Sequence, residues 1–174
     1  WLLGIAHQGM TENFRMNRLL MWIQPENYSS GIGYQTVQGL YAIGSGGLFG
    51  KGLGKSLQKL GFIPESQNDM IFSIICEELG LFGAMCIILV FALMLWRIIH
   101  IAQNAPDLFG TMLAAGVFAH VAVQVVLNIA VVTNFIPNTG VSLPFISYGG
   151  TASFFLLLEM GIVLNISSKI RLER

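Results

Sequence analysis

Charge is what this chain lacks most. Asp, Glu, Lys and Arg make up only 10% of its 174 residues, against about 25% in an ordinary soluble domain. Hydrophobic residues reach 54%, which places the chain in the membrane class before any motif is read. Its nine basic and nine acidic residues cancel, so it carries no electrostatic footprint for nucleic acid. Cysteine is nearly absent, with Cys76 and Cys86 alone. On one helix, ten residues apart, they stand about 15 Å apart along the axis, beyond disulfide reach. They read as apolar packing residues and say nothing about redox compartment. The chain begins at Trp1 and shows no signal peptide, so the expectation is a piece of a longer polytopic protein.

What is present is apolar length. Residues 79–96, "LGLFGAMCIILVFALMLW", contain no charge, and the upstream "MIFSII" extends this run to about Met70. Residues 108–136 form a second run, and residues 151–167 a third that carries Glu159. A bilayer core needs about 20 helical residues, with about 17 as the lower end. The fold expected is all-α and polytopic: spans at 70–100, 108–134 and 151–167, a short link at 101–107, a loop at 135–150 and a tail at 168–174. Arg97 and the tail residues Lys169, Arg171 and Arg174 then share one side, which the positive-inside rule makes cytoplasmic. Residues 1–69 fall on the opposite side, with the end of a preceding span at 1–7. They include Arg15, Arg18, Lys51, Lys55 and Lys59, but the rule weakens for loops longer than about 60 residues. Within this region "NRLLMWIQPENY" and "GYQTVQGLYAI" mix apolar and polar positions at helical spacing, and their Trp and Tyr residues suit helices lying at a membrane interface. Six glycines in "GSGGLFGKGLG" mark a flexible or tightly turned loop.

Several motifs divide between bland and functional readings. "GKGLGKS" is not a phosphate-binding P-loop, because Phe49 stands where the pattern requires its first glycine. Lys51, Lys55 and Lys59 recur every four residues, as a solvated face or as a cationic ridge for an anionic headgroup or diphosphate. The glycines at 52 and 54 oppose a regular helix through all three. His120, Gln124 and Asn128 form a polar row in the second span, facing a bundle interior or a wet cavity. Glu159 requires a partner or a proton, and the partner expected is a neighbouring helix. "FIPNTGVSLPFISYGG", residues 135–150, is apolar yet broken by Pro137 and Pro144, as befits a re-entrant piece enclosed by protein or a cavity.

The carboxylates of "PESQNDMIFSIICEELG" are separated by helix geometry. With a helix starting near Pro64, Asp69 lies in its first turns. Glu77 is about 12 Å further along and rotated by roughly 80°, and Glu78 points nearly the opposite way. No acid–base pair forms on one straight helix. Asp69 acts alone or with other segments, and the plain alternative is a capping or first-turn charge.

Taken together, "GLG-S-QK", "P----D--F----EELG" and "LP-ISYGG" resemble, in order and spacing, the C-terminal part of the SEDS proteins, the shape, elongation, division and sporulation family of FtsW, RodA and SpoVE. The resemblance runs from about Arg18 to Asn165. It implies the last three of ten spans and a large outer loop, in a multi-pass protein of the bacterial cytoplasmic (inner) membrane with its site on the outer face. It implies a peptidoglycan glycosyltransferase that polymerises lipid II beside a class B penicillin-binding protein. The family's essential aspartate corresponds to Asp69. Lys59 matches the family's "QK" and is the candidate contact for substrate phosphate. Arg18, Lys55, Gln124, Asn128, Ser147 and Tyr148 complete the expected substrate-binding set, and Glu77 and Glu78 support neighbouring loops or cations. Thr139 stands where some division-type members carry a lysine, and Glu159 lies outside the family pattern.

The chemistry implied is economical. The acceptor hydroxyl needs a base. The diphosphate leaves without protonation, and its developing charge needs cations. No cofactor is required, while a divalent cation at the diphosphate stays open. Two other functions fit the same residues: a flippase for the lipid-linked precursor, using the polar row and Glu159, and a non-catalytic membrane scaffold for a transpeptidase.

Overall fold

The structure, a computed structural model, describes residues 20–23, 32–56 and 68–170. Its elements are α1 (Ile32–Gly46), α2 (Ile71–Gln103), α3 (Leu108–Val132) and α4 (Gly150–Lys169). No strand occurs among the described residues. The helices α2, α3 and α4 are each long and apolar enough to cross a membrane, at the positions the apolar runs predict. The chain is a multi-pass, all-helical membrane protein.

The link between α2 and α3 is short, and polar chemistry sets it. Asn104 closes α2 through its backbone N–H. Asp107 then caps α3, its carboxylate accepting from the Gly110 N–H at 3.0 Å. The antiparallel pair that results forms the centre of the bundle. Along α3 the buried residues Gly110, Ala114, Val117, Val121, Val125, Asn128 and Val132 recur every three or four positions. This is one narrow stripe of small and β-branched side chains. It meets Ala84, Phe91 and Ile98 of α2 and Leu156, Val163 and Ile166 of α4. Between apolar helices in lipid such close packing, rather than transfer from water, drives association. Leu89, Leu93, Met112, Val126, Leu157 and Leu164 point outward, as a lipid-facing or helix-facing surface requires.

α1 is a helix where the polar–apolar alternation predicts one, but its small face is covered by protein. Gly33, Thr36, Gly39, Ala42 and Gly46 are buried. A Cβ on Gly39 would touch Ser73 and Met70, and one on Gly46 would meet the Cys76 carbonyl. The contacts advance together along both chains, so α1 runs beside the first two turns of α2 in the same direction.

α2 is two helical pieces joined at Gly80, whose φ of 68° and ψ of −168° are non-helical. The break releases hydrogen-bonding groups on each side, and the glycine-rich loop after α1 takes them up. Lys51 and Gly52 donate N–H groups to the Glu77 and Glu78 carbonyls at 2.9 Å each. Leu81 and Phe82 in turn donate to the Gly47 and Leu48 carbonyls at 2.9 and 3.1 Å. The loop expected to be flexible or tightly turned is therefore stitched into a transmembrane helix. Two glycines make room for this. A Cβ on Gly80 would stand 2.3 Å from the Gly50 nitrogen, and one on Gly50 would stand 2.2 Å from the Glu78 carbonyl oxygen.

Between α3 and α4 the chain turns back on itself. Asn134 ends α3 with φ 57°, the left-handed conformation that asparagine tolerates best after glycine. Further on, the Leu143 N–H donates to the Ser147 hydroxyl at 2.7 Å and the Ser147 N–H donates to the Leu143 carbonyl at 3.1 Å. Leu143 and Pro144 are buried inside this turn. An apolar irregular segment is thus closed by its own hydroxyl and covered by helices.

Candidate active site

Asp69 lies in the turn of residues 68–70 just before α2, not inside the helix. The helix starts later than a start near Pro64 predicts, with Met70 at its N-cap. Pro64 itself falls outside the described residues. The aspartate is half-buried, and three other segments converge on it. From α1, the Gln35 side-chain amide donates to Oδ1 at 3.1 Å. From α3, the Asn128 amide donates to the Asp69 backbone carbonyl at 2.9 Å. The same amide nitrogen donates to the Val141 carbonyl at 2.7 Å, which ties in the loop before α4. One side chain thus links the aspartate turn, a membrane helix and the loop.

Asn128 is fully buried, and both its amide hydrogens are engaged. Its amide nitrogen braces two backbone carbonyls, while its Oδ1 is enclosed without a partner among the described residues. Asn128→Leu removes two hydrogen bonds and leaves two carbonyls unserved. The expected cost is about 1–3 kcal/mol, read as a lower thermal midpoint in detergent. An unchanged midpoint would show that the brace holds nothing.

Glu77 is 0% exposed. Its Oε1 pairs with the Lys51 ammonium at 2.7 Å, and Oε2 accepts from the Ser56 hydroxyl. The carboxylate fastens the second half of the loop that fills the α2 break, at Lys51 and Ser56. Lys51 therefore does not join Lys55 in a free cationic ridge, and the three-lysine row is not helical over 51–56. Lys55 is exposed. Lys59 and Arg18 lie outside the described residues. Glu78 points elsewhere, with Oε1 enclosed and unpartnered among the described residues. Lys51→Met removes a charged partner from a fully buried carboxylate. The expected destabilisation is about 3–5 kcal/mol, with Glu77→Gln milder because it keeps an acceptor for Ser56. Equal midpoints for Lys51→Met and the parent would refute the latch.

The polar row in α3 divides by depth. Asn128 braces Asp69. Gln124 keeps its Oε1 enclosed without a partner among the described residues. His120 pairs through Nδ1 with Glu159 of α4 at 3.0 Å. The partner expected for Glu159 is therefore a residue of this chain. His120, Gln124 and Val141 line a cleft of about 460 Å³ with Ala119, Val123 and Leu127. It runs along the helix from Leu127, next to Asn128, to His120 about 12 Å away. Ser147 closes its own turn, and Tyr148 beside it is 78% exposed, free to meet another molecule.

Gln35 was invisible as a site residue in the sequence, although it sits in the "GYQTVQG" stretch. A glutamine on a helix otherwise faced with small residues was the one signal available. Nothing local could connect it to an aspartate 34 positions away.

Known proteins resemble this chain in sequence and fold. A family model described as "Cell cycle protein", of the FtsW, RodA and SpoVE group, matches residues 2–172. The stage V sporulation protein E of Bacillus subtilis is 46% identical over 166 residues, covering 95% of this chain and 45% of that protein. A probable peptidoglycan glycosyltransferase FtsW of Trichlorobacter lovleyi is 44% identical over 159 residues, covering 91% and 42%. The chain spans a little under half the length of these relatives. Among solved structures, one chain of a peptidoglycan synthase complex superposes with a TM-score of 0.71 at 24% identity, over 99% of this chain and 48% of that one. The rod shape determining protein RodA of Thermus thermophilus, solved as an aspartate-to-alanine mutant, gives 0.59 at 30% identity, over 78% and 41%. With the three helices, the braced aspartate and these matches in agreement, the chain belongs to the FtsW, RodA and SpoVE family of cell cycle proteins.

Proposed function

We propose that the full protein is a peptidoglycan glycosyltransferase of the bacterial inner membrane, acting on the outer face, with Asp69 as general base. The observation that carries this reading is the convergence on Asp69. A half-buried carboxylate at the mouth of a span is oriented by Gln35 and braced through Asn128. Relatives named probable peptidoglycan glycosyltransferase support it.

In the step proposed, Asp69 takes the proton from an acceptor sugar hydroxyl of lipid II. The hydroxyl oxygen bonds to the donor's anomeric carbon. The bond from that carbon to the lipid diphosphate breaks, and its electron pair leaves on the diphosphate. One displacement inverts the α-linked donor to a β-linkage. The leaving group needs positive charge rather than a proton. Lys55 is the described residue proposed for it, with Lys59 and Arg18 beyond the described residues. No group of three ligating side chains converges among the described residues; a divalent cation at the diphosphate would be held by the phosphates and a carboxylate, and no step here uses one. A class B penicillin-binding protein is the partner proposed. The structural neighbour is itself part of a complex that coordinates polymerization and crosslinking.

A second reading is translocation of the lipid-linked precursor. The His120–Glu159 pair and the cleft beside Gln124 favour it. Polymerisation of purified lipid II in detergent by the Asp69→Asn protein separates the two. A polymerase loses product, whereas a translocator makes none before or after substitution and responds instead to Glu159→Gln in a vesicle assay.

A further inference from the structure

The loop stitched into α2 has a second face that its backbone role leaves unused. Leu48, Phe49 and Leu53 are 65%, 84% and 77% exposed. Three bulky apolar side chains in six residues are unusual in a loop facing water. The level of Leu48 and Phe49 is fixed by the hydrogen bonds from Leu81 and Phe82 to Gly47 and Leu48, and that of Leu53 by the bonds of Lys51 and Gly52 to Glu77 and Glu78. Leu81 and Phe82 lie about 6 Å below Glu77 and Glu78 along the helix. Below them α2 is free of charge down to Trp96, a length of about 27 Å, which nearly matches a bilayer core of about 30 Å. The tip of the loop is therefore held just inside the apolar boundary.

Irregular backbone at this depth must have its polar groups satisfied, and five such groups at the tip of this loop are. Carbonyls of Gly47 and Leu48 and N–H groups of Lys51 and Gly52 all bond to α2, and the Gly50 N–H bonds to the Gly46 carbonyl. The flanks suit a lipid boundary as well. Tyr41, 60% exposed, stands above the tip, and Lys55 is exposed on the return strand. An amphipathic ring and an ammonium are the groups that settle among headgroups. The exposed apolar surface also continues onto Leu81 and Phe82 of the span itself, 56% and 69% exposed.

We propose that residues 47–54 are a monotopic anchor that inserts Leu48, Phe49 and Leu53 into the bilayer leaflet at the Asp69 end, with Lys55 at the phosphate level. The anchor fixes the height of the Asp69 turn relative to the lipid surface, because Glu77 and the α2 backbone join the two. The inference does not depend on which reaction the protein performs.

The test uses the full-length protein in nanodiscs, with Phe49→Trp and, independently, Leu53→Trp. Fluorescence is read as the difference from the parent protein. Lipids brominated near the top of their acyl chains are expected to quench the added tryptophan at least twofold more than aqueous acrylamide does. Quenching by acrylamide alone would place the loop in water and overturn the proposal. Protection from both quenchers would mean that protein covers the tip, and would overturn it equally.

Discussion

Replacing Asp69 by asparagine is expected to lower lipid II polymerisation by about 10²–10⁴-fold, the range that a positioned general base contributes. The substitution is chosen because it preserves shape and leaves an acceptor for the Gln35 amide, now at 3.1 Å from Oδ1. The backbone carbonyl that Asn128 holds is untouched. Thermal stability and co-purification of the proposed transpeptidase partner should therefore match the parent. The measurement is glycan chain formation from purified lipid II by the full-length protein. Unchanged synthesis would remove Asp69 as the base. A loss accompanied by a fall in thermal midpoint would indicate damage to the junction rather than to the chemistry.

Gly80→Ala is expected to be the most damaging substitution for folding. The new methyl group meets two backbone atoms, the Gly50 nitrogen at 2.3 Å and the Leu48 carbonyl oxygen at 2.6 Å. Neither can rotate away as a side chain would. The φ of 68° is itself costly for any residue with a Cβ, by roughly 1–2 kcal/mol. Relief requires the loop to leave α2, which breaks the four backbone hydrogen bonds that the two segments share. A loss of about 4 kcal/mol is expected, with residues 47–56 becoming sensitive to protease. Gly44→Ala is the control. It lies on the exposed side of α1 with nothing within 4 Å of the added carbon and gains helix propensity. Equal midpoints for the two variants would show that the break does not depend on glycine.

The parts of this fold that were legible in the sequence are those set by neighbours along the chain. A run such as 79–96 without charge has one economical fate, and the helix there extends to Gln103. The spacing of Asp69 from Glu77 and Glu78 argued against a carboxylate pair, although the helix it assumed starts only at Ile71, after Asp69. What the sequence hid are contacts between distant segments. Gln35 reaches Asp69 across 34 positions, Asn128 across 59, and His120 reaches Glu159 across 39. Periodicity reports which face of a helix is polar, not what that face meets. The break at Gly80 was hidden for another reason. "EELGLFG" reads as continuous helix, because glycine is tolerated within membrane helices and the groups that compensate the break belong to a loop 30 residues earlier.

That order along the chain has a consequence for biogenesis. The loop of residues 47–52 leaves the ribosome before α2 does. When Gly80 reaches the membrane, the strand that completes its hydrogen bonding has already been made. The segment above the break has nothing to gain by sliding deeper, since doing so would carry unpaired carbonyls of Glu77 and Glu78 into hydrocarbon. The docked loop thus acts as a depth stop for the arriving span, beside the charges of Glu78 and Arg97 at its ends.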